Sequence, residues 1–177
     1  MTSIFSINTV RFVVLLLLQV LVFSNINFLG YINPHIYILF ILLFPVKNNR
    51  MTIIFLSFLL GLSIDMFLDT GGINAAASVF IAYIRPVALK FSFGALYDHQ
   101  SIKFSTTELG QRITYISILT VIHHFIFFSL EIFNFSKILL ILENTLYSSI
   151  FTILLCILIT IIFSFRIIFY TKSKTIW

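Results

Sequence analysis

The apolar positions of this chain fall in long runs separated by short polar stretches, without the two-residue alternation of half-buried strands. A membrane-spanning helix needs about 20 mainly apolar residues, and six segments fit or approach that length. The first runs from Arg11 to about Leu29. The second, from about Tyr31 to Val46, is short, with Pro34 in its first turn and Pro45 near its end. The third runs from Met51 to about Asp69. The fourth runs from about Ile73 to Phe91, with Pro86 near its end. After a polar stretch from Ser92 to Thr107 comes the fifth, from about Leu109 to Phe133. The last apolar stretch, Ile138 to Phe169, exceeds one span; its core is placed at about Asn144 to Phe165, with Ser136 to Glu143 as an interfacial lead-in.

The ends of these runs carry their own signals. Pro34 suits a first helical turn, where a missing N–H costs no bond. Ser105-Thr106-Thr107-Glu108 fits a capping box just before the fifth run, and Asp69-Thr70-Gly71-Gly72 reads as a tight turn between the third and fourth. Arg11 followed by an apolar run to Phe23 resembles a signal peptide. Ser24-Asn25-Ile26-Asn27 then replaces a small-x-small cleavage pattern, so a retained first helix is expected.

Composition excludes a soluble domain. Hydrophobic residues make up 60% of the 177 and charged residues 10%, and the mean hydropathy is +1.11; soluble domains have about 45–50% and about 25%. No core of this size absorbs that excess, whereas a bilayer does. The net charge of +5 comes from cations spread singly at the ends of apolar runs, which argues for topology determinants and against a nucleic-acid surface. With six alternating spans and an inside N-terminus, Arg11, Lys47, Arg50, Arg85, Lys90, Lys103, Arg112, Arg166, Lys172 and Lys174 all lie inside, and only Lys137 lies outside. The expected fold is therefore an all-α membrane protein, a single polytopic domain over residues 1–177 with six transmembrane helices and both termini cytoplasmic. The lone Cys156, deep in the last run, is expected to pack as a small hydrophobe.

Ionisable groups within apolar helices are costly, by about 2.5–3.5 kcal/mol on insertion scales, so they mark candidate sites. Ser57, Gly61, Asp65 and Asp69 recur every four residues and are expected to form one stripe on the third helix. Counting from the helix starts puts Asp65 and the His123–His124 pair at similar depth, and a hydrogen bond between Asp65 and one of these histidines is expected. Adjacent histidines point about 100° apart on a helix, and no HExxH or second His cluster is present. Polar packing is thus favoured over metal ligation, and no metal or cofactor is expected. Gly72, Asn74, Ala75, Ala76, Ser78 and Ala82 give the fourth helix a small-residue face for close helix packing or for a partner. Gln19 is expected to hold helices together. Asn25, Asn27, Glu131, Glu143 and Asn144 sit at or near outer helix ends. There is no GxSxG, Walker loop, CxxC or dinucleotide fingerprint, and no activity as an enzyme is expected.

Gly61-Leu62-Ser63-Ile64-Asp65, then Gly72-Ile73-Asn74-Ala75, then Ala82-Tyr83, resemble the rod shape-determining MreD family. That family shows a Gly-Leu-x-x-Asp stretch in its third helix and a Gly-Leu-His-Ala-like entry to the fourth; Asn74 stands here where His is frequent. The resemblance covers essentially the whole chain. It implies a non-catalytic protein of the bacterial inner membrane, part of the elongasome, bound to an MreC-like single-pass protein. Through that protein it is linked to MreB, RodA and a penicillin-binding protein. The implied task is scaffolding or regulation of lateral peptidoglycan synthesis and cell shape. The implied fold is similar to the substrate-binding subunits of energy-coupling-factor transporters, and a vitamin-binding subunit of that kind is the competing reading.

Overall fold

The structure is a computed structural model; it describes residues 2–26, 33–45, 49–94 and 107–174, with side chains left aside at 2–7, 135 and 163–174. Every regular element among the described residues is helical. In chain order these are α1 (Thr2–Leu21), α2 (Ile38–Leu42), α3 (Arg50–Leu68), α4 (Ile73–Phe93), α5 (Leu109–Ile132) and α6 (Ile138–Lys174), with one-turn 3-10 helices at Phe23–Asn25 and Phe135–Lys137. Five helices are long and apolar enough to cross a membrane, which makes the chain an all-α, multi-pass membrane protein.

The sixth expected span takes another form. Its helix, α2, has five residues, because Pro34 and Pro45 bracket the segment and the backbone between them is only partly helical. Residues 34–42 are nevertheless all buried, and Ile36 to Leu42 lie at the centre of the core, among Leu60, Ile64, Ile81, Leu89, Ile116, Leu119 and Cys156. The segment runs antiparallel to α1: Gln19 meets Ile36, and the rings of Phe12 and Phe40 stand 5.5 Å apart.

A short helix inside an apolar bundle leaves backbone groups without partners, and no water is there to take them. Side chains from three other helices supply them. Gln19 Nε2 donates to the Pro34 carbonyl (3.1 Å), while its Oε1 accepts from the amides of Ile36 (2.8 Å) and Tyr37 (3.4 Å). At the other end Arg85 donates to the carbonyls of Leu42 and Phe44 and to the Tyr115 hydroxyl, which itself donates to Leu42. Gln19 thus holds helices together as expected. Arg85, one of the cations expected on the inner side, is buried and ties the end of this segment to α4 and α5.

The remaining helices pack in chain order, α3 on α4, α4 on α5 and α5 on α6, with α1 against α3 and α2. The turn at 69–72 forms as predicted: Asp69, Gly71 and Gly72 all adopt positive φ, and the Thr70 amide returns to the Asp65 carbonyl. The capping box does not form as predicted. Glu108 is the N-cap of α5, so the helix starts a turn later than the motif implies, and Ser105 lies outside the described residues. Arg112 occupies this end instead, donating to the carbonyl and hydroxyl of Thr107. The lead-in to the last helix is not a separate piece: α6 is continuous from Ile138 for 37 residues, about 55 Å at 1.5 Å per residue. Asn27, Lys47 and Lys103 also lie outside the described residues. The outward faces carry large apolar side chains, such as Phe55, Phe67, Phe91 and Leu154, as contact with lipid requires.

Candidate functional site

The α3–α4 hairpin is built around Gly61 and Asp65. A Cβ on Gly61 would stand 2.5 Å from the Ala75 Cα and 2.6 Å from the Asn74 carbonyl oxygen, so only glycine lets the two backbones come this close. One turn on, the Asp65 carboxylate reaches the start of α4. Its Oδ1 accepts from the Asn74 amide (3.0 Å), Asn74 Nδ2 (3.0 Å) and the Thr70 hydroxyl, and its Oδ2 accepts from the Ala75 amide (2.8 Å). A carboxylate at a helix N-terminus satisfies free amides and complements the helix dipole.

The predicted four-residue stripe is therefore three residues long. Ser57, Gly61 and Asp65 are buried on one face. Asp69 has left the helix: it is the left-handed C-cap residue and is exposed. On α4, Asn74, Ala75, Ser78 and Ala82 are buried inside the bundle, whereas Ala76 is exposed and Gly72 is the N-cap. The small-residue face is thus filled by the chain's own helices.

Asp65 does not bond a histidine directly. The link runs through two side chains that the sequence reading did not combine. A carboxylate only accepts, so the Asn74 amide must turn its NH₂ toward Asp65, which leaves its Oδ1 for the Tyr37 hydroxyl (2.9 Å). Tyr37 spends its only proton there. Its oxygen lies 2.8 Å from His123 Nε2, which must then be the donor. The chain His123 → Tyr37 → Asn74 → Asp65 has one consistent direction and joins α5, the α2 segment, α4 and α3.

His123 is one corner of a histidine cluster. His35, just ahead of α2, places its ring centroid 5.5 Å from His123 and 4.9 Å from His124. All three rings are buried, and one ligand-capable nitrogen from each lies within 4.8 Å of the other two. His124 Nδ1 faces the Thr120 carbonyl at 2.9 Å and so carries a proton; its Nε2 is an acceptor, 3.2 Å from His35 Nδ1 and 3.3 Å from the Thr152 hydroxyl of α6. The same hydroxyl accepts from the His35 amide (3.3 Å). His123 Nδ1 is buried with no hydrogen-bond partner.

A cavity of about 520 Å³ reaches this cluster at His35. Gln19, Asn33, Asn74, Glu131 and Asn144 supply polar groups to its wall, and Leu68, Phe127, Phe128 and Ile132 supply apolar ones. Sequence reasoning singled out Gln19, Asn74, His123 and His124 but passed over His35, Tyr37 and Thr152. The signal for His35 was local: Asn33-Pro34-His35 puts a ring beside a proline at the entry of an apolar run, in non-helical backbone ahead of α2.

Fold and site together define an all-helical, multi-pass membrane protein with a buried polar network at the base of a cavity. No protein-family model, curated protein or solved structure matches the chain.

Proposed function

We propose that this chain is a non-catalytic scaffold or regulator of the MreD type, a component of the bacterial inner membrane that binds an MreC-like single-pass protein. In this reading it serves lateral peptidoglycan synthesis and cell shape, with MreB, RodA and a penicillin-binding protein as more distant partners. Residues 33–45 make the sixth crossing, and both termini are cytoplasmic. One observation supports the reading above the others. Three residues of the family resemblance, Gly61, Asp65 and Ala75, form the α3–α4 joint together with Asn74, which stands where the family frequently has His. A motif that specifies how two helices meet suits a protein whose task is to present a fixed surface. Purification of the tagged chain from bacterial membranes tests this. A single-pass protein with a large external domain should co-purify; a stoichiometric small molecule in its place would sink the scaffold reading.

The cavity favours a second reading, a small-molecule-binding subunit of an energy-coupling-factor-type transporter. Its 520 Å³ lies in the usual range for small ligands, about 300–1,000 Å³, and its wall mixes aromatic faces with a few polar groups. Mass spectrometry of the denatured, purified protein distinguishes the two, because a bound vitamin would be released.

A further inference from the structure

We propose that His35, His123 and His124 form a binding site for one divalent transition-metal ion of the zinc class. The proposal stands independently of the scaffold and transporter readings.

Three features of the cluster point to a metal. The first is spacing. A tetrahedral ion with metal–nitrogen bonds of about 2.0–2.1 Å holds its ligand nitrogens about 3.3–3.4 Å apart. One nitrogen from each ring lies within 4.8 Å of the others, and His35 Nδ1 and His124 Nε2, which share a hydrogen bond here, are 3.2 Å apart. Ring movements that close up to about 1.4 Å, shared among the three side chains, bring all three nitrogens into range.

The second is the direction of the hydrogen bonds. A histidine that ligates a metal donates its other ring N–H to a carbonyl, a carboxylate or another fixed acceptor, which sets the tautomer and orients the ring. His124 does this with the Thr120 carbonyl, leaving Nε2 as the ligand once an ion displaces its hydrogen bonds to His35 and Thr152. His123 does it with the Tyr37 oxygen, leaving Nδ1 as the ligand. Behind Tyr37 the chain ends on the Asp65 carboxylate, which polarises His123 through two intervening groups. Purely structural packing accounts for the bonds to Thr120 and Tyr37. It leaves His123 Nδ1 buried with no partner. Buried hydroxyls such as those of Ser57, Ser78 and Thr120 also lack partners, but a hydroxyl can turn toward its own helix, whereas His123 Nδ1 is held in place by the ring's bond to Tyr37.

The third is access and coordination number. His35 is both a member of the cluster and part of the cavity wall, so an ion reaches the rings from that side. The cavity also leaves room for a fourth, non-protein ligand, the pattern of an open three-histidine site. Three imidazoles suit Zn²⁺, Cu²⁺, Ni²⁺ or Co²⁺ and disfavour Mg²⁺ and Ca²⁺, which prefer oxygen. The fixed Thr120 and Tyr37 partners explain how neighbouring histidines, about 100° apart on α5, serve one ion: His35 comes from a different segment and faces both.

The test uses the full chain in detergent, stripped with a chelator and titrated with Co²⁺. One equivalent should bind with the intense visible absorption of tetrahedral cobalt, and one equivalent of Zn²⁺ should abolish that absorption. His35→Phe and His124→Phe should each weaken Co²⁺ binding by at least about 100-fold. Tyr37→Phe, which removes a supporting partner, should weaken it by about 10–100-fold. His99→Gln, at the chain's remaining histidine, should leave it unchanged. Should a variant fail to fold, X-ray absorption of the zinc-loaded wild type decides, with about three imidazole nitrogens at about 2.0–2.1 Å expected. The proposal is overturned by no binding to the wild type, by an all-oxygen or octahedral ion, or by full binding after all three histidines are replaced.

Discussion

Two polar sites lie within the same apolar bundle, and they are satisfied to different degrees. At the α3–α4 joint, both oxygens of Asp65 are engaged, and four donors converge on them. Around the histidines, His123 Nδ1 has no partner, the nearby Thr120 hydroxyl has none either, and a cavity reaches His35. The comparison teaches how to read buried polar residues in a membrane protein. A fully paired group repays its desolvation in structure and needs no further role. A group left short of partners in a low-dielectric interior is costly unless something else binds there.

The comparison breaks most sharply at Asp65. Asp65→Leu leaves two backbone amides, one N–H of the Asn74 NH₂ (the other still reaches Thr70) and the Thr70 hydroxyl without their acceptor. A loss of about 3–5 kcal/mol is expected, from the usual cost of orphaned buried donors and broken buried networks. Denaturation in mixed micelles would measure it; a loss below about 1 kcal/mol would show that the joint does not depend on the carboxylate. Next comes Arg85→Met, which keeps the apolar stem and removes the donors to Leu42 and Phe44. About 2–4 kcal/mol is expected, less than at Asp65 because Tyr115 still serves Leu42. Gly61→Ala follows, at about 1–3 kcal/mol, since its methyl meets backbone that cannot rotate aside. Faster unfolding of the α3–α4 hairpin, read by amide exchange, would localise the effect.

Much of this was legible in the sequence, and the exceptions have physical causes. Four of the five long helices follow from apolar run length, the 69–72 turn from its glycines, and the buried Ser57–Gly61–Asp65 face from four-residue spacing. The first helix, expected from Arg11 to about Leu29, instead runs from Thr2 to Leu21, because its polar first residues join the helix and Ser24 and Asn25 close it with bonds back to carbonyls of its last turn. The stripe could not be read through Asp69, because whether a helix continues past its last turn depends on the residue that takes the left-handed conformation. The second segment was legible as buried but not as mostly non-helical. Its backbone is stabilised by Gln19 and Arg85, from segments 17 and 43 residues away from the groups they bond. The histidine cluster was least legible: His35 and His124 are 89 residues apart, and pairing between segments leaves no periodic trace. Asp65 was tied to the correct depth but to the wrong neighbour, because a depth count fixes height along a helix and says nothing about which groups intervene.

The smallest expected effect on stability is the most informative about the contrast. His123→Phe removes a nitrogen that has no partner and one bond to Tyr37, which keeps its bond to Asn74. Phenyl is somewhat larger than imidazole, and the neighbour Phe127, whose ring plane lies 14° from that of His123, offers it an aromatic face. A loss of about 1–2 kcal/mol is therefore expected, less than at Asp65. Zinc should affect the two variants differently. It should raise the denaturation midpoint of the wild type and leave that of His123→Phe unmoved, because an ion stabilises only a state that binds it. If His123→Phe instead destabilised the protein as much as Asp65→Leu and zinc moved neither the wild type nor the variant, the histidines would belong with Asp65 as structure, and the difference between the two sites would disappear.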